Sequence, residues 1–179
     1  MKKSVVLKRF HEIGLIYRAP VKLRSGKKAL FYCDIKKAYG YPDILNALAD
    51  LIIAKLKKSE NCIAVSGYGG LPLGAVVAAK SKRKLVAVRD KVKDHGRGGT
   101  IDGYVPGRGN RVVIIDDVLT TGSSIKATLK ELRKTKTAIS RAIVVVQRAP
   151  ARLSIPYDHL FKIEDILVLP LASKAVIRL

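Results

Sequence analysis

The fold of this chain is decided by the stretch Arg111-Val-Val-Ile-Ile-Asp-Asp-Val-Leu-Thr-Thr-Gly-Ser-Ser-Ile125. Its apolar residues 112–115 are β-branched and predict a buried strand. Two acids and a loop of small hydroxyl residues around one glycine follow, and then Ile125, Leu129 and Leu132 recur at helical spacing. We therefore predict a strand, a loop and a helix, with the polar residues at the carboxyl end of the strand, where open α/β sheets bind ligands.

The residue types of this stretch suit a sugar phosphate. A helix start presents unpaired N–H groups that attract phosphate, and Gly122 allows the backbone to approach closely. Asp116 and Asp117 repel phosphate but accept hydrogen bonds from a vicinal diol such as that of ribose. Four hydroxyl groups add donors: Thr120, Thr121, Ser123 and Ser124. An acid-capped helix with a serine-rich turn is the structural alternative. A Walker A loop is excluded, because no Gly-Lys-Ser/Thr follows the glycine.

The whole sequence predicts one globular domain over residues 1–179. Hydrophobic residues make up 48% and charged residues 27%, which is typical of a soluble protein, and no apolar run is long enough to span a membrane. We expect no signal peptide and a cytoplasmic location, with Cys33 and Cys62 as reduced core thiols. The formal net charge of +21 indicates attraction to anions, either phosphorylated substrates or nucleic acid.

Strands alternate with helices along the chain, which predicts an α/β fold with a mainly parallel central sheet flanked by helices. A helix and a turn are predicted over residues 4–18, with Gly14 ending the helix, and further helices from Pro42 to about residue 56 and over 73–80. The further strands are predicted over residues 30–35, 63–66, 85–88 and 142–146. The basic segment 90–99 is predicted to be a mobile loop over an anionic ligand, and residues 67–72 a glycine-rich loop. We expect the tail, residues 150–179, to pack at the sheet edge or beside the N-terminal segment.

Four segments together resemble the orotate phosphoribosyltransferases, which have the type I phosphoribosyltransferase fold. Leu23-Arg-Ser-Gly26 with Tyr32-Cys-Asp34 is similar to that family's N-terminal hood. Gly67-Tyr-Gly-Gly70 resembles its pyrophosphate loop, and the stretch from Arg89 to Gly99, with Lys93-Asp-His-Gly96, its catalytic flexible loop. The Asp116–Ser124 stretch resembles its loop for phosphoribosyl pyrophosphate (PRPP). The resemblance implies a small hood, formed by about residues 1–40 and part of the C-terminal tail.

The resemblance also implies a reaction, in which PRPP and orotate give orotidine 5′-monophosphate and pyrophosphate during pyrimidine biosynthesis. Lys93 and His95 are the implied catalytic residues. PRPP-binding residues would be Arg89, Lys91, Lys93, His95, Asp116, Asp117, Val118, Leu119, Thr120, Thr121, Gly122, Ser123 and Ser124. The pyrophosphate loop would comprise Tyr68, Gly69 and Gly70. Orotate would be bound by Arg24, Phe31, Tyr32, Thr120 and Arg148.

Magnesium and a second subunit complete the implied enzyme. Mg²⁺ would bridge substrate oxygens, with Asp116 and Asp117 contacting it through substrate or water. The family implies a homodimer whose flexible loop completes the neighbouring site, and no membrane partner is expected. One alternative is a PRPP-sensing regulator that binds nucleic acid, favoured by the charge and by Asp90, an acid where the family has lysine. The other is a phosphoribosyltransferase for another base.

Overall fold

A computed structural model describes residues 1–17, 21–22, 28–29, 31–89 and 99–168, with the backbone alone for 21–22 and 28–29. The helices are α1 (Lys3–Glu12), α2 (Ile35–Tyr39), α3 (Pro42–Ile53), α4 (Gly67–Lys80), α5 (Ser123–Arg133) and α6 (Ile163–Leu167). The short N-terminal strands are β1 (Ile16–Tyr17), β2 (Val21–Lys22), β3 (Lys28–Ala29) and β4 (Tyr32–Cys33). The longer strands are β5 (Cys62–Ser66), β6 (Lys84–Val88), β7 (Ile101–Gly103), β8 (Arg111–Leu119), β9 (Ala138–Gln147) and β10 (Tyr157–Lys162).

A six-stranded sheet in the order β10-β9-β8-β5-β6-β7 forms the centre of the molecule. Every neighbouring pair is parallel except β6 and β7, which are antiparallel. The predicted α/β architecture with a mainly parallel sheet is therefore confirmed. Strand β7 was not predicted, because three residues between polar loops carry too little pattern to indicate a strand.

Alternating side chains of the central strands build a core on each face of the sheet. Ile63 and Val65 of β5 pack with residues from α1 to α4, whereas Cys62 and Ala64 pack with α5 on the opposite face. Both faces are covered, so the parallel strands are apolar throughout rather than alternating with polar residues. Ile125, Leu129 and Leu132 of α5 are buried, as the helical spacing predicted.

The N-terminal segment and the chain after β9 meet, as expected for the tail. The rings of Phe10 and Phe161 lie edge to face with centroids 5.5 Å apart, and Lys3 Nζ donates to Leu160 O at 2.7 Å. Strand β10 extends the sheet in parallel beside β9. Val5 of α1 is 43% exposed, because the core side of the helix is formed by Val6 and Phe10.

The predicted strand over residues 30–35 is much shorter in the structure. Only Tyr32 and Cys33 pair, antiparallel with Tyr17 and Ile16, and Ile35 already begins α2. Leu30 lies outside the described residues. Isoleucine has a high strand propensity, but here it is fully buried against the core from a helical position, so packing overrides local preference. Within the described part of the chain, no helix has the length and apolarity needed to cross a membrane.

Candidate active site

Asp116 and Asp117 lie within β8, near its carboxyl end. The prediction that these acids follow the strand is wrong, because β8 continues to Leu119. Pairing with β9 extends it: Asp116 is opposite Val144, and Leu119 is opposite Gln147. Asp116 is buried and Asp117 is partly exposed. The acids are therefore held on a rigid strand in the middle of the sheet.

The environment of Asp116 favours its protonated form. Burial, followed by the neighbouring charge of Asp117, raises the pKa of Asp116 to about 7. The backbone N–H of Asp117 donates to Asp116 Oδ1 at 3.0 Å and, with a hydrogen bond from Ser124, partly opposes this rise. Ser124 Oγ is also hydrogen-bonded to Ser66 Oγ at 3.1 Å, which links the start of α5 to the end of β5. Near neutral pH, one proton is thus readily gained or lost at this position.

Lys36 is the cation beside Asp117, and the sequence analysis missed it. Its Nζ lies 3.5 Å from Asp117 Oδ2. Burial by itself lowers the pKa of Lys36, but Asp117, Tyr32 and Asp34 outweigh that effect and raise it. Two adjacent lysines after Asp34 were the one sequence feature that could have pointed to Lys36. A lysine on a five-residue helix is, however, normally a solvated surface residue.

The start of α5 follows the acids at the same end of the sheet. Gly122 has φ +75°, a left-handed conformation that selects glycine, and a Cβ there would also require the end of the Leu153 side chain, 2.7 Å away, to move. Among the described residues, no side chain caps this helix. Thr120, Thr121, Ser123 and Ser124 are exposed. Uncapped N–H groups surrounded by hydroxyl groups suit a phosphate.

Tyr68, Gly69 and Gly70 do not form a loop, which corrects the prediction. They lie in the first turn of α4, which begins at Gly67 and includes Pro72. A Cβ at Gly69 would lie 2.5 Å from Asp117 Oδ2, and one at Gly70 would lie 2.7 Å from Ile115 O. These glycines let the helix start directly against the end of β8, and this packing overrides their poor helix propensity.

The hydroxyl of Tyr39 fixes the same helix start by donating to Gly69 O at 2.9 Å. Burial raises the pKa of Tyr39 well above its ordinary value, and Asp117 and Asp116 raise it further. The phenol therefore stays protonated and remains a donor. Tyr68 is 87% exposed and its ring is accessible to a ligand.

Phe31 and Arg148 form a second group of side chains beside the acids, and the next residue, Tyr32, lies near Lys36. Arg148 Cζ lies 4.9 Å from the centroid of the Phe31 ring, a cation–π distance. Arg148 N donates to Leu119 O at 2.9 Å, which anchors it to the end of β8. Arg148 also borders an open groove of about 350 Å³ that Gln147, Ala149, Pro150, Lys162 and Glu164 complete.

Cys33 lies near both groups, since Asp117 and Arg148 both influence its thiol electrostatically. Burial raises the pKa of its thiol to about 12, Asp117 and Asp34 raise it too, and Arg148 opposes them. The thiol stays neutral and acts as a packing residue. Its electrostatic coupling to both Asp117 and Arg148 indicates that the acid pair and the arginine share one region.

Arg89 directly follows β6 at the same edge of the sheet. Its Nε forms an ion pair with Asp102 Oδ2, and its backbone N–H donates to Thr100 O at 2.7 Å. Arg24, Lys91, Lys93 and His95 lie outside the described residues. In the part that is described, no three His, Cys, Asp or Glu side chains cluster as a metal site.

Comparison with known proteins identifies the family. The model of the phosphoribosyl transferase domain matches residues 41–175. The orotate phosphoribosyltransferase of Methanocaldococcus jannaschii is 35% identical over 147 residues, which are 82% of this chain and 83% of the relative. This chain belongs to the orotate phosphoribosyltransferase family. The relative of that name from Archaeoglobus fulgidus is 33% identical over 168 residues, 93% of each chain.

A solved orotate phosphoribosyltransferase, from Aeropyrum pernix, has the same architecture. Its crystal structure matches with a TM-score of 0.78 and 26% identity, over 90% of this chain and 96% of that one. The phosphoribosyltransferase fold is therefore shown by sequence and by structure. In this fold, the acid pair, the start of α5 and Arg89 all lie at the carboxyl edge of the parallel strands.

Proposed function

We propose that this protein transfers the phosphoribosyl group of PRPP to orotate, giving orotidine 5′-monophosphate and pyrophosphate in pyrimidine biosynthesis. The observation that carries this proposal is the hydrogen bond from Arg148 N to Leu119 O. It fixes an arginine stacked on Phe31 at the end of the strand that carries Asp116 and Asp117. A group suited to an acidic planar base thus adjoins a group suited to a ribose phosphate.

The ribose phosphate would be held by β8, the loop after it and the start of α5. Asp116 and Asp117 accept hydrogen bonds from the ribose hydroxyls. The 5′-phosphate binds the N–H groups and hydroxyls of residues 120–124, with the backbone at Val118 and Leu119 leading into them. Burial and the charge of Asp117 favour a protonated Asp116, and a bound diol favours its carboxylate. Positioning of the sugar is therefore expected to be coupled to the release of one proton.

The departing pyrophosphate requires positive charge and a fixed position. We propose that Arg89 and the loop residues Lys91, Lys93 and His95 neutralise it, with Lys93 or His95 as proton donor. Tyr68, Gly69 and Gly70 would contact it from the first turn of α4. Mg²⁺, when bound, neutralises the charge of the phosphate oxygens. Asp116 and Asp117 would face it through substrate or water.

Orotate is planar and carries a carboxylate, and the second group of side chains suits both properties. The guanidinium of Arg148 can form a bidentate pair with the carboxylate. The ring of Phe31 or Tyr32 can pack against the pyrimidine plane. The stacking of Phe31 on Arg148 already orients the guanidinium. Arg24 and Thr120 would complete the contacts with the base.

We further propose that residues 1–179 act as one domain. The antiparallel pairs β1–β4 and β2–β3 are separate from the central sheet, which supports a small hood formed by about residues 1–40 with part of the C-terminal tail. The family resemblance supports a homodimer that shares the loop after Arg89, and a cytoplasmic location.

The experiment that tests the function is a spectrophotometric assay of orotate consumption with PRPP and Mg²⁺. Adenine, guanine and uracil serve as matched bases that lack the carboxylate. Of the four bases, we expect only orotate to be turned over. Turnover with another base and not with orotate would contradict the proposed base, and PRPP binding without any turnover would contradict the proposed reaction.

A further inference from the structure

The edge of the sheet opposite the proposed active site is strongly basic. Parallel strands β5, β6, β8 and β9 all begin at this edge, and each is preceded by a segment rich in lysine or arginine. Seven exposed basic side chains lie on these segments or at the first residue of a strand: Lys57, Lys58, Lys82, Lys84, Arg108, Arg111 and Lys136. We define these seven residues as the amino-edge basic face.

Hydrogen bonds join these segments into one surface. Arg83 donates to the carbonyl oxygens of both Glu60 and Lys57, at 2.5 and 3.2 Å. The segment before β5 is joined to the start of β8, because Asn61 N donates to Arg111 O at 3.0 Å. The segment before β9 is joined too, since Thr137 Oγ1 donates to Asn110 O at 3.1 Å. The basic residues are therefore held on neighbouring, mutually connected segments.

The acids close to this edge are already neutralised. Glu60 is buried and bonded to Arg141 Nε at 3.0 Å. Asp158 pairs with Lys55 at 2.7 Å, and Glu131 pairs with Lys134 at 2.7 Å. Within the described residues, none of the seven side chains of the face forms an ion pair with an acid. Their charges add without compensation, which produces a positive potential over this surface.

We propose that the amino-edge basic face binds the phosphate backbone of nucleic acid. Adjacent strands are about 4.8 Å apart, so four strand starts spread the cations over about 15 Å, a length that meets several successive phosphates. Val105 is the one large apolar side chain exposed on the described segments of this edge, so little surface is suited to insertion into a lipid bilayer. Binding here would leave the carboxyl edge open to substrates.

The test is fluorescence anisotropy of a fluorescein-labelled 20-nucleotide DNA of mixed sequence, single-stranded and duplex, titrated with the full-length protein. We expect saturable binding that persists at saturating PRPP, because the two surfaces lie at opposite edges of the sheet. If about four phosphates are contacted, affinity should fall about 100-fold between 50 and 200 mM salt.

Two charge-matched double variants locate the binding surface. Lys58→Glu with Lys82→Glu changes the face, whereas Lys2→Glu with Lys8→Glu makes the same charge change on exposed positions of the N-terminal region. We expect the first pair to weaken DNA binding at least tenfold and the second to leave it nearly unchanged. Arg108→Glu with Lys136→Glu, from the other half of the face, should repeat the first result. The far-UV circular dichroism spectrum and the urea denaturation midpoint should be unchanged in all three double variants, which shows that they remain folded.

Three outcomes would overturn the proposal. An equal loss of DNA affinity in the variants of the amino-edge basic face and in the N-terminal control variant would mean that net charge alone attracts DNA. Displacement of DNA by PRPP would mean that the oligonucleotide occupies the proposed active site. Binding to anionic phospholipid vesicles but not to DNA would assign the face to membranes. None of these outcomes depends on which base the enzyme uses, so the proposed function and this inference can fail separately.

Discussion

Lys36 Nζ lies 3.5 Å from Asp117 Oδ2, so a cation from the five-residue helix α2 compensates one of the two acids of the central strand. Phosphate groups are repelled by a bare carboxylate, and Lys36 reduces that repulsion where PRPP is proposed to bind. The pair is partly exposed, which limits its energy to about 1 kcal/mol or less.

We predict that Lys36→Ala raises KM for PRPP up to about fivefold, the equivalent of 1 kcal/mol, and leaves KM for orotate unchanged. Steady-state kinetics with each substrate varied in turn will measure this. Lys37→Ala is the matched control, because Lys37 Nζ donates to Gly14 O and stacks on Tyr17. Equal effects of the two substitutions on KM for PRPP would rule out a specific role for the Lys36–Asp117 pair.

Gly69→Ala is predicted to damage the site through direct contact. The added Cβ would lie 2.5 to 2.6 Å from all three atoms of the Asp117 carboxylate group, so either the carboxylate or the start of α4 must move. Crowding of this kind costs about 1–3 kcal/mol, and kcat/KM for PRPP should fall at least tenfold.

Gly107→Ala is the control for Gly69→Ala, because a Cβ at Gly107 meets nothing within 4 Å. It should leave activity unchanged and the free energy of unfolding equal or slightly higher, since alanine restricts the unfolded chain. Urea denaturation and kinetics on both variants provide the comparison. Full activity of Gly69→Ala would show that α4 does not need to approach Asp117 closely.

Stability without ligand is predicted to decline with rising pH because of Asp116. Its folded-state pKa of about 7 lies above its ordinary value of 3.8, so the folded protein binds more protons than the unfolded chain between these values. The contribution of Asp116 therefore falls as pH rises from about 4 to about 7 and is constant above that range.

Asp116→Asn should remove this dependence. At pH 8 the variant is expected to be more stable than the parent protein by more than about 1.4 kcal/mol, the free energy that corresponds to one pKa unit. At pH 4.5 the difference should be much smaller than at pH 8, because the unfolded chain has only begun to lose its proton. Urea denaturation at both pH values, with the exposed acid Asp50 changed to Asn as control, measures the difference. Equal stabilities at pH 8 would mean that Asp116 is ionised at little cost.

Arg148 is predicted to govern affinity for the base. Arg148→Ala should raise KM for orotate by roughly 10- to 100-fold, because hydrogen bonds to a charged group contribute about 1.5–3 kcal/mol. Arg148→Lys should recover little of the lost affinity for orotate, since a lysine cannot form the bidentate pair with the carboxylate or stack on Phe31 in the same way. Phe31→Leu should also raise KM for orotate, by a smaller factor.

The control for Arg148→Ala is Arg152→Ala, which removes an exposed arginine four residues later. KM for PRPP should be unchanged in every one of these variants. A rise in KM for PRPP that matched the rise for orotate would mean that Arg148 supports the site as a whole rather than the base.

Strands and helices with strong periodicity could be predicted from sequence. The apolar run before Asp116 specified β8, and the spacing of Ile125, Leu129 and Leu132 specified α5. Both signals arise from burial, because the spacing of apolar residues within one segment shows which of its faces is buried. The end of β8 could not be predicted, because the acids join the strand only through their pairing with β9.

The proposed site was predictable where its residues form a contiguous motif. Asp116 to Ser124 follow one another in sequence, and their chemistry can be interpreted locally. Lys36 could not be predicted, because its place in the site depends on an ion pair with Asp117, which is distant in the sequence. Gly69 and Gly70 were assigned to a loop because glycine disfavours helices, whereas the contact that requires them is with another strand. The roles assigned to Lys91, Lys93 and His95 stay predictions.

The backbone bond between Arg148 and Leu119 has a practical consequence for protein engineering. It fixes the main chain of Arg148, the residue proposed to recognise the base, through an amide that every amino acid except proline possesses. Side-chain exchange at Arg148 and Phe31 can therefore be explored with all residues except proline at position 148, without disturbing the strand that is proposed to bind the ribose. A library restricted to these two codons is a compact starting point for enzymes that ribosylate unnatural heterocycles.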